Sequence, residues 1–491
     1  MELKRFTYIV LLLFTAQFSS AQNKTEFFKV YPDLDGSEPE WVVEMYSEYP
    51  NVLEVVDLYH LYYQSNPFVK NIHTQNYKYW LRVTAEYVQG SGALIVPSDA
   101  VEKERIQQLH DQRNFEVAAK TTSWQNMGPD RTYKNDGSLN LRPTQVNIFT
   151  MAVAPSDNDV VYGAAEGGGI FKSTDHALNW ELTSINEVFT NCQDIKVHPL
   201  NPDIVYVGTG SDIYKTLDGG LTWDLNYTAA GTIEQFYIHR TTPTNVYAAT
   251  ANGLYFSDDS GDSWAMIFDE RCWDIEAHAV NPDILFLSIH NPSAKRAEIF
   301  KSTDAGTTWV LKDTDWYVPT DMGAASDIGC KIGVTPADPD MIYACLIGNS
   351  KSGDNGWIGV YYSEDGADNW VNADGIDGGP YEPGTDMATN WYIAGYADGY
   401  HQGWYNFDLD VSHTDADKIW IGTIWMCESG NRGANIEYIR GTRSLEMHAD
   451  IQDIDVVSGE VWVASDGGLN FSTDECATVE VRNTGVSSST Y

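Results

Sequence analysis

Three carboxylates and a band of aromatic residues are where this chain could do chemistry. Asp274, Asp327 and Asp450 are candidates for an acid/base pair. In such a pair one carboxylic acid protonates a leaving oxygen while its partner attacks or activates water. Trp273, Trp391, Tyr392, Trp404, Tyr405 and His448 are the candidate ligand contacts. Aromatic faces stack on the C–H surfaces of sugars, and nearby carboxylates bond hydroxyls. His448, Asp450 and Asp453 form a candidate metal set, with nitrogen from imidazole and oxygen from the acids. Calcium is the one cofactor the sequence admits, and none is required. Each group also has a plainer reading. Trp273, Trp404 and Tyr405 serve equally as core, and the His448 cluster as a hydrogen-bonded group on a surface or in a channel.

Familiar catalytic signatures are missing. There is no Gly-x-Ser-x-Gly, no His-Glu-x-x-His and no phosphate-binding Gly-x-x-x-x-Gly-Lys-Ser/Thr. Enzymatic activity stays open. A binding protein comes first, and a polysaccharide-degrading glycoside hydrolase using a carboxylate pair is the alternative.

The elements that must position these residues are announced by a repeat. Ser173-Thr-Asp175-His-Ala-Leu-Asn-Trp180 returns as Thr216-Leu-Asp218-Gly-Gly-Leu-Thr-Trp223 and Ser257-Asp-Asp259-Ser-Gly-Asp-Ser-Trp264. It returns again at 302–309 and 363–370, and as a worn copy at 472–479 that has lost the tryptophan. Each box is preceded by short β-rich runs separated by Pro/Asp/Asn turns. Four short strands per repeat make one blade of a propeller. The long gap before the last box holds a degenerate blade around 407–422, so the expectation is an all-β propeller of about seven four-stranded antiparallel blades. Ser/Thr and Asp hold the box turn, glycine near its fifth position supplies positive φ, and tryptophan packs between sheets. The ring then closes at seven, with Ser123-Trp124 as one source of an outer strand, or the chain is a fragment.

Insertions mark the working face of such a ring. They are expected at 291–296, 348–356, 429–434 and 372–403, all on one face and toward blades four to seven.

The box is similar to the Asp-box, or bacterial neuraminidase repeat, of sialidases, xyloglucan-cleaving propellers, sortilin (Vps10-type) receptor domains and photosystem assembly factors. Residues 402–412 and 448–453 most resemble secreted sortilin-like propellers of Bacteroidetes. That resemblance implies a secreted or cell-surface module binding a peptide, protein or glycan on its loop-rich face. It also implies a C-terminal sorting domain for type IX secretion. None is visible, which adds a hint of C-terminal truncation to the two alternatives for the ring. Sialidases announce an arginine cluster with Phe/Tyr-Arg-Ile-Pro. Here Leu141-Arg142-Pro143 departs from it, which argues against that activity.

Composition bounds the partners. Seventy acidic against 30 basic residues give a formal charge of −40. Such a surface repels nucleic acid and anionic membranes. It favours solubility, with divalent-cation binding as the sharper reading. Lys4-Arg5, a short apolar stretch at 8–14 and Ser19-Ser20-Ala21 read as a signal peptide over 1–21. No membrane-spanning segment follows. Residues 22–122 read as a small helical region, with amphipathic pieces at 40–46, 52–63 and 101–117 broken at Asn66-Pro67 and 90–92. The propeller occupies 123–491. The six cysteines form no CxxC, and Cys330 with Cys345 flank a turn, so that pair is either a disulfide or two buried thiols.

Overall fold

The computed structural model describes residues 27–28, 31–32, 34, 36–96, 147–166, 169–184, 189, 191–319, 326–349, 357–373, 403, 405–439 and 447–486. The chain divides into two compact units, 1–113 and 114–491.

In the first unit three helices enclose an aromatic core: α1 Glu40–Met45, α2 Val52–Ser65 and α3 Ile72–Thr84. Asn51 caps α2 by accepting from the Leu53 and Glu54 N–H groups. Asn71 and Thr74 form a reciprocal capping box on α3. Helix α2 stops just before Asn66-Pro67, as a residue preceding proline disfavours helix. Trp41, Met45, Val55 and Trp80 are fully buried. The sequence reading found α1 and α2 but missed α3. The amphipathic piece at 101–117 lies outside the described residues.

The second unit is a seven-bladed β-propeller. Each sheet contains four consecutive antiparallel strands, beginning with Ile148–Val153, Cys192–Val197, Ile233–Ile238, Cys272–Ala277, Ser326–Val334, Asp408–Val411 and Ile451–Val457. These first strands touch in closed succession, blade 7 against blade 1, and so line the bore. Blade 7 has its own fourth strand, Glu480–Val481. Among the described residues no strand is exchanged between blades 7 and 1, and the closure is made by side-chain and main-chain contacts. Trp180 of blade 1 donates through its indole N–H to Arg482 O (2.7 Å) and through its backbone N–H to Thr484 O (2.9 Å). Ser123 and Trp124 lie outside the described residues.

The boxes explain why the blades repeat. In blade 1 the Ser173 hydroxyl donates to Asp175 (2.9 Å) and accepts the Ala177 N–H (2.9 Å), while Asp175 accepts the Asn179 N–H (2.9 Å). The fourth and fifth box residues both take positive φ, as at Gly219 and Gly220.

One expectation is corrected. Residues 429–434 are not an insertion between the second and third strands of blade 6. They are a seventh box, between strands Met426–Ser429 and Glu437–Tyr438 and hence on the opposite face. Ser429 donates to Asn431 (2.9 Å) and accepts the Gly433 N–H (2.9 Å), and Asn431 accepts the Asn435 N–H (2.8 Å). Asparagine offers the same carbonyl acceptor as aspartate, and Ile436 fills the tryptophan position. Ser429→Ala strands the Gly433 and Asn431 N–H groups and is expected to cost about 1–3 kcal/mol in a denaturant melt. An unchanged midpoint would deny the box its structural role.

The cysteine alternative also resolves. All six are buried thiols. Cys330 pairs across the ladder with Leu346, and Lys331 with Cys345. The one-residue offset sends the two thiols to opposite faces of blade 5. Cys330 packs toward blade 4, and Cys345 toward blade 6.

Candidate ligand site in the bore and at its mouth

An innermost strand presents backbone N–H groups to the bore, and they need acceptors. The preceding blade supplies them. Asp194 accepts the Phe236 N–H (2.6 Å), Gln235 that of Ile275 (3.3 Å), and Asp274 that of Ile332 (2.6 Å). Asp408 and Asp410 accept from Ile454 and Val456, each at 2.7 Å. Asp453 closes the ring on Met151 N (2.8 Å) and the Thr150 hydroxyl (3.1 Å). Blades 5 and 6 meet through Lys331 Nζ and Asp408 at 3.6 Å.

Glu276 and Asp455 join these carboxylates, and Lys196 and Lys331 are set among them. Burial opposes the charge on both ammoniums, but the surrounding carboxylates outweigh it and hold them well above the usual lysine range. Burial pushes Asp274 up to about 7, helped by Glu276 and Asp408 and opposed by Lys331. Burial also raises Asp194, Glu276, Asp410, Asp453 and Asp455. Most of these groups keep a little exposure along the bore although protein surrounds them on every side. Asp274 is 1 % exposed.

A second cluster lies at the end of the bore where blades connect and where second strands turn into third. Tyr405 and Asn406 precede the inner strand of blade 6, Asp450 that of blade 7, and Asn147 that of blade 1. Glu166 and Asp466 follow the second strands of blades 1 and 7. The Tyr405 hydroxyl stands 3.2 Å from Glu166 Oε2 and 3.4 Å from Asp466 Oδ1. Those two carboxylate oxygens are therefore no more than about 6.6 Å apart. Asn147 donates to Glu166 (2.8 Å) and to the Tyr405 oxygen (3.2 Å), Gln452 to Asp466 (3.0 Å), and Asn406 to Asp450 (3.1 Å). Burial, then Asp466, Glu166 and Asp450, holds the phenol far above its ordinary range, so it stays neutral with one proton to give. Asn147 Oδ1, Asn406 Oδ1 and Gln452 Oε1 are buried acceptors with no donor among the described residues.

The residues singled out from sequence are dispersed by this geometry. Tyr405 and Asp450 belong to the mouth. Asp274 and Asp453 sit in the bore, each with an oxygen committed to the next blade. Trp273 is buried between blades 4 and 5, under the Arg271 guanidinium (4.7 Å), and its ring would meet an added methyl on Gly329 at 2.8 Å. His448 contacts the neighbouring Ala449 O through Nδ1 (2.8 Å). Asp327 lies on the inner strand of blade 5, but its side chain is outside the described residues, as are Trp391, Tyr392 and Trp404. Among the described residues no three of His, Cys, Asp and Glu converge to hold a metal ion.

Glu166, Asp466, Asn147 and Gln452 escaped the sequence reading. A signal existed, because Glu166-Gly-Gly and Asp466-Gly-Gly repeat an acid before paired glycines at the same turn of two blades.

No protein-family model matches the chain, and no curated protein matches it. Among solved structures it is similar to an ancestral GH74 enzyme, with 16% identity over 72% of this chain and 46% of that one, TM-score 0.50. It is also similar to the GH74 xyloglucanase from Xanthomonas campestris, with 10% identity over 70% of this chain and 55% of that one, TM-score 0.51. The chain spans about half the length of these two structures, and at such identities the likeness is one of propeller fold.

Proposed function

We propose that this chain is an exported, non-catalytic recognition propeller of the sortilin-like kind, taking its ligand at the mouth between blades 6, 7 and 1. The observation that carries the reading is the set of three buried amide carbonyls there, Asn147 Oδ1, Asn406 Oδ1 and Gln452 Oε1, to which no described residue donates. Those carbonyls, set beside the neutral Tyr405 phenol, suit a ligand that carries donors, whether glycan hydroxyls or the ammonium and guanidinium groups of a peptide. The bore supports a non-catalytic role, because its aspartates bond main-chain N–H groups of the neighbouring blade.

Glycan and peptide arrays probed with the full chain test this. Tyr405→Phe deletes one donor–acceptor link and is expected to weaken the captured ligand about tenfold, as one hydrogen bond is worth about 1–1.5 kcal/mol. Equal binding by Tyr405→Phe and Glu166→Gln would place the ligand elsewhere. One observation favours the hydrolase alternative: Glu166 and Asp466 share a phenol at a spacing compatible with glycosidase carboxyl pairs, about 5–10 Å. Sugar release from plant or algal polysaccharides, abolished by Glu166→Gln and by Asp466→Asn, would replace the binding reading with it.

A further inference from the structure

Three amides at the mouth turn charged acceptors into neutral ones. Each has its N–H end committed to an acid or the phenol. Asn147 Nδ2 bonds Glu166 (2.8 Å) and the Tyr405 oxygen (3.2 Å), Gln452 Nε2 bonds Asp466 (3.0 Å), and Asn406 Nδ2 bonds Asp450 (3.1 Å). These bonds fix all three orientations, because a flipped amide would set its oxygen against a carboxylate oxygen. Asn147 Oδ1, Gln452 Oε1 and Asn406 Oδ1 are thereby held as acceptors, and no described residue donates to them. The three residues are 8%, 8% and 0% exposed, so an unmet carbonyl at each is costly.

The backbone places an aromatic ring in the same cluster. In blades 1 and 7 the inner strand slips register at its mouth end, between Ile148 and Thr150 and between Ile451 and Asp453. The extra residues are Phe149 and Gln452, and a bulge re-aims the side chain it carries. Phe149 is half-buried, and its ring meets that of the half-buried Tyr405 edge-on, centroids 5.9 Å apart. Blades 2 and 4 bulge at the same place, so the device belongs to the ring, but there it carries Gln193 and the buried Trp273.

The two donor chemistries open to the mouth fare differently against these groups. An ammonium or guanidinium gains most from a bare carboxylate, and burying it against neutral carbonyls forfeits its hydration. A hydroxyl is neutral, gives its proton to a carbonyl and can accept the phenol's. A pyranose ring also offers the C–H face that an aromatic side chain covers. The carbonyls come from three consecutive blades and so lie on an arc, as hydroxyls do around a sugar ring. The N–H groups of an extended peptide lie along a line and face one side only at every second residue. We infer, resting on the mouth reading proposed above, that this mouth is a subsite for a neutral sugar residue. Phe149 and Tyr405 meet its ring, and Asn147, Gln452 and Asn406 take its hydroxyls.

The test titrates the full chain with neutral gluco-, xylo-, manno- and galacto-oligosaccharides of about six residues, a chitosan oligomer of the same length and a lysine/arginine peptide. At least one neutral oligosaccharide is expected to bind about tenfold or more tighter than the two cationic probes. Its affinity should change less than about twofold between roughly 50 and 500 mM salt, whereas a cation drawn to a chain of charge −40 would weaken steeply. Phe149→Leu and Gln452→Met should each weaken the sugar about tenfold, with melting midpoints near wild type showing the ring intact. The inference is overturned if chitosan or the peptide outranks every neutral oligosaccharide, or if Phe149→Leu and Gln452→Met both bind the sugar as wild type does. A cationic probe that loses its binding in Tyr405→Phe would sink the sugar subsite and leave the mouth as the ligand site. Binding of every probe unchanged by Tyr405→Phe and Glu166→Gln would remove the mouth reading itself, and the subsite with it.

Discussion

Lys331→Met is expected to destabilise the propeller by about 3–5 kcal/mol, the usual cost of removing one partner from a buried charge network. The ammonium lies 3.6 Å from Asp408 and also faces Asp274, Asp453 and Asp194. Methionine keeps the volume, so packing is nearly conserved and the loss is electrostatic. The carboxylates left behind must bind protons or draw water into the bore. The side chain is 19% exposed, which places the effect toward the lower end of that range. A melt at pH 8 should show a midpoint lower by about 4 °C, and a smaller loss at pH 5, where protons stand in for the missing cation. Lys331→Met/Asp408→Asn should recover much of the loss. If the double variant is as unstable as the sum of its parts, the bore is not a coupled charge network.

The bore also shows which levels of organisation could be read in the residues. Five blades followed from the tryptophan-closed boxes, because hairpin chemistry is local and each box sits within eight residues; the other two followed from the worn copy at 472–479 and the strand pattern around 407–422. The seventh box was hidden because Asn431 and Ile436 replace the aspartate and tryptophan sought, although their hydrogen bonds and packing are equivalent. The bore acids were visible as acids, but their work was not. Asp194-Ile, Asp274-Ile, Asp408-Leu and Asp453-Ile recur at the start of first strands, and an acid repeated in register around a ring points to scaffold. Reading Asp274 and Asp453 one blade at a time made them look like isolated chemistry. The mouth was the hardest to foresee. Asn147, Glu166, Tyr405, Asp450 and Asp466 come from three blades at the two ends of the ring, and only its closure brings residue 147 against residue 405. Nothing local encodes that meeting.

The same bore should reverse the ordinary acid limb of stability. As pH falls from about 8 to about 5, the thermal midpoint is expected to rise. Asp274 titrates near 7 in the folded protein, against about 3.9 in an unfolded chain. Between those values the native state holds a proton that the unfolded state has released. Unfolding free energy must therefore fall as pH rises through this window. The contribution is complete below about pH 4 and is gone above about pH 7, and for a shift of roughly three units it is on the order of 4 kcal/mol. Asp194, Glu276, Asp410, Asp453 and Asp455 are shifted in the same direction by burial. The box aspartates act oppositely. Hydrogen bonds from Ser263 and Ser257 hold Asp259 down at about 2, so its contribution is lost only in stronger acid. Relief of the net charge of −40 would also favour acid, so a variant must separate the two causes. Asp274→Asn keeps an acceptor for the Ile332 N–H and deletes the titration. It should flatten the slope between pH 5 and 8 and match or exceed wild type at pH 8. A wild-type midpoint that drops on acidification across that range, or an equal slope in Asp274→Asn, would remove the bore carboxyl as the cause.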